Sequence, residues 1–155
     1  RAMKDLQALD AITAASGGRT PGGEGQRNTI LYMANALRAA GVPCAIASST
    51  PRKNIECVID VLSLRGFFAG TVAAEDVTQG KPHPEVFLLA AEKLGAPASR
   101  CVVFEDAHVG IEAARGAGMK VVGVATTHPA ETLRDADRVV RRLDELTLAE
   151  IAALF

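Results

Sequence analysis

Three short stretches hold side chains that a packed core does not require: Ser48-Ser49-Thr50, Gly80-Lys81-Pro82 and Glu105-Asp106. A hydroxyl with neighbouring backbone N–H groups at a helix start binds a phosphoryl oxygen through donors and dipole. A lysine fixed between Gly80 and Pro82 offers a point charge against developing negative charge. Adjacent carboxylates are hard oxygen ligands suited to Mg²⁺, which keeps several waters and takes one or two carboxylates. Together these groups make a phosphate and metal kit. Plainer roles stay open to each. Ser48, Ser49 and Thr50 can cap the next helix, Lys81 can be a solvated surface charge, Asp106 can be an N-cap and Glu105 a loop charge.

The elements that must position these groups are legible as alternating patterns. Met3, Leu6, Leu9 and Ile12 recur every third residue and predict a short amino-terminal helix. Residues 14–28, rich in Gly, Ser, Thr and Pro, read as a loop. Ile30, Leu31, Met33, Ala34 and Leu37 predict a helix ending at Gly41. Pro43 to Ala47 reads as a buried strand. Thr50-Pro51 then reads as an N-cap followed by proline at the first helical position, opening a helix that turns Ile55, Val58, Ile59 and Leu62 inward.

Thr71 to Ala73 is a weak strand, and Pro84 opens a helix that stops at Gly95. Cys101 to Phe104 is a strongly apolar strand, followed by a helix over 107–117 closed by Gly118. Val121 to Val124 is the next strand, Arg138 to Val140 an edge candidate and Leu146 to Leu154 a terminal helix. Strands separated by helices of this length imply βαβ crossovers, hence an α/β, Rossmann-like, doubly wound parallel sheet. Ligands sit beyond the carboxyl ends of the strands in such sheets. All three polar stretches follow predicted strands.

The text at 45–54 (Ala-Ile-Ala-Ser-Ser-Thr-Pro-Arg-Lys-Asn), at 80–87 (Gly-Lys-Pro-His-Pro-Glu-Val-Phe) and at 103–114 (Val-Phe-Glu-Asp-Ala-His-Val-Gly-Ile-Glu-Ala-Ala), with Ala-Gly-Met at 117–119, resembles the haloacid dehalogenase superfamily. The likeness is to its β-phosphoglucomutase-like phosphatases and phosphomutases, and covers about residues 30 to 145. The resemblance implies catalytic roles for Lys81 and Ser48, with Ser48 the phosphate binder and Lys81 the lysine of the third motif. It implies Glu105 and Asp106 as the acids that hold Mg²⁺, and Ser49 and Asn54 as secondary phosphate or substrate contacts.

The family's first motif is a strand ending in Asp-x-Asp, whose first Asp attacks phosphorus. The chain is read as containing no such Asp-x-Asp. The nearest imitation, Asp10-Ala11-Ile12-Thr13, lacks the second Asp and falls in the helical pattern. The expected organisation is therefore the end of a helical cap and a linker over 1–28, and over 29–155 an α/β core lacking its first strand. That core would have two unpaired edges where the strand belongs, inviting a missing amino-terminal segment to pair there or the two edges to close on each other.

The 155 residues fit one domain. With 48% hydrophobic and 23% charged residues the chain is neither disordered nor membrane-like, and a net charge of −1 without a basic block gives no footprint for nucleic acid or an anionic membrane. No apolar run nears the ~20 residues of a bilayer span. Cys44, Cys57 and Cys101 form no cluster, which favours a cytoplasmic or other reducing soluble compartment, with Cys44 and Cys101 buried as small apolar residues. His83 reads as a helix cap, His108 as helix surface, His128 as loop and Arg141-Arg142 as a solvated edge. Gly23-x-Gly25 follows no strand, and Pro82 replaces the Ser or Thr of a P-loop, so neither nucleotide motif is present.

The expectation is a Mg²⁺-dependent phosphomonoester hydrolase acting on a small phosphorylated metabolite such as a sugar phosphate, through an aspartyl-phosphate intermediate. The 155-residue chain by itself would lack the nucleophile and be inactive. A phosphomutase of the β-phosphoglucomutase type and a noncatalytic scaffold on the same fold are the alternatives.

Overall fold

Alternation of apolar side chains along the strands builds the sheet. The structure, a computed structural model, describes residues 10–13 and 23–155. In chain order the elements are β1 (Asp10–Thr13), α1 (Gly23–Ala39), β2 (Cys44–Ala47), α2 (Arg52–Val61), β3 (Gly70–Val72) and α3 (Glu85–Leu94). They continue with β4 (Cys101–Glu105), α4 (His108–Gly116), β5 (Lys120–Val124), β6 (Arg138–Val140) and α5 (Leu148–Ala152). The strands form one parallel sheet in the order β3-β2-β1-β4-β5-β6.

Successive residues of a strand face opposite sides, so β2 and β4 each feed two cores. Ala45, Ala47, Cys101 and Val103 pack with Val86, Phe87, Ala90 and Ile111 under α3 and α4. Cys44, Val102 and Phe104 pack with Met33, Leu37, Val122 and Ile151 under α1 and α5. Both faces are covered, as an all-parallel sheet requires. Cys44 and Cys101 are buried, as expected, and Cys57 is exposed.

Helix ends fall where the punctuation places them. Gly95 caps α3 in the left-handed conformation at φ 66°, and Gly118, at φ 74°, follows α4. Thr147 caps α5, its hydroxyl accepting from the Glu150 amide while Glu150 accepts from the Thr147 amide.

Several expectations are corrected. Residues 23–28 are not loop: α1 begins at Gly23, two residues after Pro21, and crosses the proposed boundary at 28/29. α2 begins at Arg52, with Pro51 rather than Thr50 at the N-cap, because the Pro51 carbonyl accepts the Asn54 amide at 2.9 Å. Val58 is 53% exposed rather than in the core; Ile55 is the buried residue of that helix.

The largest correction concerns the centre of the sheet. Asp10–Thr13 is a strand, not the end of a helix, and it occupies the slot between β2 and β4. It pairs in parallel with both neighbours: Ile12 stands opposite Ala45 on one side and Val103 on the other. The core therefore contains a central strand, and neither an open edge nor closure of β2 on β4 occurs. Two rows of backbone donors and acceptors outweigh the local three-residue periodicity. The remainder of the expected amino-terminal helix, at Met3, Leu6 and Leu9, and of the loop, at 14–22, lies outside the described residues.

Candidate functional site

The register across β1 brings the predicted residues to one end of the sheet. Thr13 stands opposite Ile46 and Phe104. Ser48 and Asp106 each lie two residues beyond that level, and Glu105 closes β4 one residue beyond it. β2 and β4 are two strand spacings apart, about 10 Å. A hydroxyl and two acids thus flank the carboxyl end of β1, all buried: Ser48 at 0%, Glu105 at 2% and Asp106 at 8% exposure.

Lys81 enters from the loop before α3. Its Nζ lies 2.8 Å from Glu105 Oε2, with the two side chains 8% and 1% exposed, so the surface-lysine reading is set aside. The ammonium also stands 4.8 Å from the centroid of Phe87, the fully buried ring of α3. The other oxygen of Glu105, Oε1, accepts from the Ala107 amide at 3.2 Å. Burial pushes the Glu105 carboxyl above its ordinary range, the nearby Lys81 charge and hydrogen bond oppose that rise, and Asp106 adds to it.

Asp106 is not the helix cap: Ala107 holds that position. Its Oδ2 accepts from Thr127 Oγ1, and from Thr126 Oγ1 at 3.4 Å, both in the loop leaving β5. Ser48 Oγ accepts the Thr50 amide at 3.2 Å, upstream of the α2 cap, so its bond shapes the turn rather than capping the helix. Ser49 and Asn54 lie at the same end of the sheet, in the turn after β2 and the first turn of α2, but the structure leaves both exposed and outside the buried cluster.

Residues the sequence reading passed over hold this cluster in place. Glu85, the first residue of α3, accepts from the amides of Thr78 (3.0 Å) and Gln79 (2.8 Å) and from the Thr78 hydroxyl, tying down the loop that carries Lys81. Pro84, not His83, holds the N-cap of α3, while His83 Nδ1 accepts the Glu85 amide at 3.3 Å from the residue before it. Gly110, inside α4, leaves the space that Glu105 fills. A glycine in a helix interior is the signal that was available for it. An Asp-x-Asp triplet does occur, at Asp135-Ala136-Asp137, and was also overlooked. It precedes β6 at the amino end of the sheet, where Asp137 accepts from the Val121 amide at 2.8 Å, so it lies at the wrong end to act with Ser48 and Asp106. Asp10 is equally misplaced, standing opposite Cys101 at the start of β4.

The metal-ligating side chains available are the two adjacent acids; among the described residues no group of three or more His, Cys, Asp or Glu could hold a metal ion. Two carboxylates, with Glu105 already occupied by Lys81 and Ala107, do not make an all-protein cage. They fit a small hard cation that keeps most of its waters or shares substrate oxygens, as Mg²⁺ does. Among the described residues no helix is long and apolar enough to cross a membrane.

The sequence pattern of haloacid dehalogenase-like hydrolases matches residues 6–118. The chain belongs to this family. It is 42% identical over 120 residues to the chloroplastic 5-amino-6-(5-phospho-D-ribitylamino)uracil phosphatase of Arabidopsis thaliana, a match covering 77% of this chain and 32% of that protein. It is 44% identical over 82 residues to the fructose-1-phosphate phosphatase YqaB of Escherichia coli, covering 53% of this chain and 44% of that one. The fold is similar to a crystal structure of β-phosphoglucomutase from Clostridium difficile, with TM-score 0.73 and 26% identity over 98% of this chain and 60% of that one. The chain thus spans a third to under half of these curated relatives.

Proposed function

We propose that the protein carrying this chain is a Mg²⁺-dependent phosphomonoester hydrolase acting on a small phosphorylated metabolite such as a sugar phosphate. The observation that carries the reading is the buried Lys81–Glu105 pair, at 2.8 Å, at the strand ends that also present Ser48 and Asp106. A buried ammonium and carboxylate in this position point to charge control rather than packing, since replacing such a pair by apolar residues of similar volume is often neutral for stability. Relatives named as phosphatases support the same chemistry.

Ser48 would hold a phosphoryl oxygen through its hydroxyl and the amides of the following turn, and Ser49 and Asn54 would contact the remainder of the substrate. Lys81 would screen the charge between an anionic nucleophile and the phosphoryl group, with Glu105 fixing the ammonium. Asp106, with Glu105 beside it, would hold Mg²⁺, which supplies neutralisation of phosphoryl charge when bound. In-line attack by an aspartate would give an aspartyl phosphate that water hydrolyses. The nucleophile would stand at the carboxyl end of β1, but no acid occurs between Thr13 and Glu24. The chain by itself would therefore lack the nucleophile.

The test is turnover of an aryl phosphate by the full-length protein. Activity with Mg²⁺, loss of it in Asp106→Asn and none in the 155-residue chain alone are expected. An intact, folded full-length protein without activity on phosphate esters would favour the noncatalytic scaffold.

A further inference from the structure

The loop that leaves β5 makes contacts that the proposed chemistry does not use. Its start is tied to the edge strand, because the Ala125 amide donates to the Val140 carbonyl at 2.8 Å, and the Thr126 amide turns back onto the Val124 carbonyl at 2.8 Å. From this fixed base Thr126 and Thr127 direct their hydroxyls to one oxygen, Asp106 Oδ2. The next residue, His128, lays its ring against that of His108 at the start of α4, with centroids 4.6 Å apart and planes tilted by 41°. The loop therefore holds the turn that carries Asp106 at two points: at the acid itself, and two residues further on.

We infer that Thr127, seconded by Thr126, is a positioning residue that sets the orientation of the Asp106 carboxylate for a hard divalent cation. A short acid on a turn can rotate about its last side-chain bond, and each orientation offers a cation a different oxygen. Two hydroxyls on Oδ2 remove that freedom before any cation arrives. Hydrogen bonds to a ligating carboxylate are worth a factor of ten to a hundred in metal affinity in comparable sites. The donors come from the loop leaving β5, the strand beside β4, and not from the helix that follows Asp106. The inference rests on the reading of Asp106 as a cation ligand and adds the residue that prepares it.

The experiment measures Mn²⁺ and Mg²⁺ binding by the full-length protein without substrate, by electron paramagnetic resonance and calorimetry, for the wild type, Thr127→Val and Thr127→Ser. Thr127→Val keeps the shape and removes the donor; it is expected to bind the cation about ten to a hundredfold more weakly. Its KM for an aryl phosphate should stay that of the wild type once the cation is saturating. Thr127→Ser, which keeps the hydroxyl, should restore binding. Equal binding by wild type and Thr127→Val overturns the inference alone, as does equal weakness of the Ser and Val variants, which would assign the effect to packing of the methyl group. A wild type that binds neither cation overturns both this inference and the reading of Asp106 beneath it.

Discussion

Gly110 and Glu105 occupy adjoining space: a Cβ built on residue 110 would stand 2.0 Å from Glu105 Cδ and 2.3 Å from its Cγ. The buried acid lies against the helix backbone, and only the residue without a side chain lets it do so. Gly110→Ala should therefore displace the carboxylate from Lys81. Alanine is worth about 1 kcal/mol over glycine in a helix, and the clash should outweigh it. Thermal melting should show a lower midpoint than the wild type; an unchanged or raised midpoint would contradict the contact.

Lys81→Met leaves the Glu105 carboxylate, 1% exposed, without its ammonium. Removal of one member of a buried pair costs about 3–5 kcal/mol, whereas replacement of both by neutral groups is often nearly neutral. Urea unfolding should show that loss for Lys81→Met and recovery of most of it in Lys81→Met/Glu105→Gln. The double variant should remain inactive in the full-length protein, which separates the stability of the pair from its chemistry.

The amides of Thr78 and Gln79 hold the Glu85 carboxyl below its ordinary 4.5. A carboxylate lowered in the folded state contributes stability that is present above its unfolded pKa and disappears as pH falls through the folded value. Glu85→Gln should therefore be less stable than the wild type at neutral pH, and the deficit should shrink as pH drops below 4.5. Chemical denaturation at several pH values gives this difference directly. A deficit that does not vary with pH would remove the carboxylate from the loop's support.

Ile12 lies in the central strand, opposite Ala45 and Val103. Proline there removes a ladder donor and is tolerated in sheets only at edges or bulges. Ile12→Pro should prevent the cooperative unfolding transition, and hydrogen exchange should show loss of protection in the β2 and β4 amides. Protection that survives in both strands would place something other than Asp10–Thr13 between them.

The outer parts of this fold are written locally and the middle is not. Gly95 and Gly118 mark helix ends because a left-handed residue is cheapest as glycine, and Cys101 to Phe104 reads as a strand because four apolar residues follow one another. Asp-Ala-Ile-Thr carries no such signature; its conformation comes from the two strands beside it. The candidate site divides in the same way. Ser48, Lys81, Glu105 and Asp106 were legible from residue type at strand ends, and the structure buries or nearly buries all four side chains. The roles of Gly110, Glu85 and Thr127 depend on distances between segments far apart in the chain or across a turn, which periodicity does not encode. Val58 was misassigned because a helical stripe shows which residues share a face but not how wide the covered part is.

Glu85 belongs to α3 yet holds the loop in front of it, and a Cβ on Gly80 would meet nothing within 4 Å. The position of the Lys81 charge is thus inherited from a rigid helix rather than from the identity of its immediate neighbour. Drift in sequence at position 80 can proceed without moving the ammonium, whereas a change at position 85 would move it from a distance.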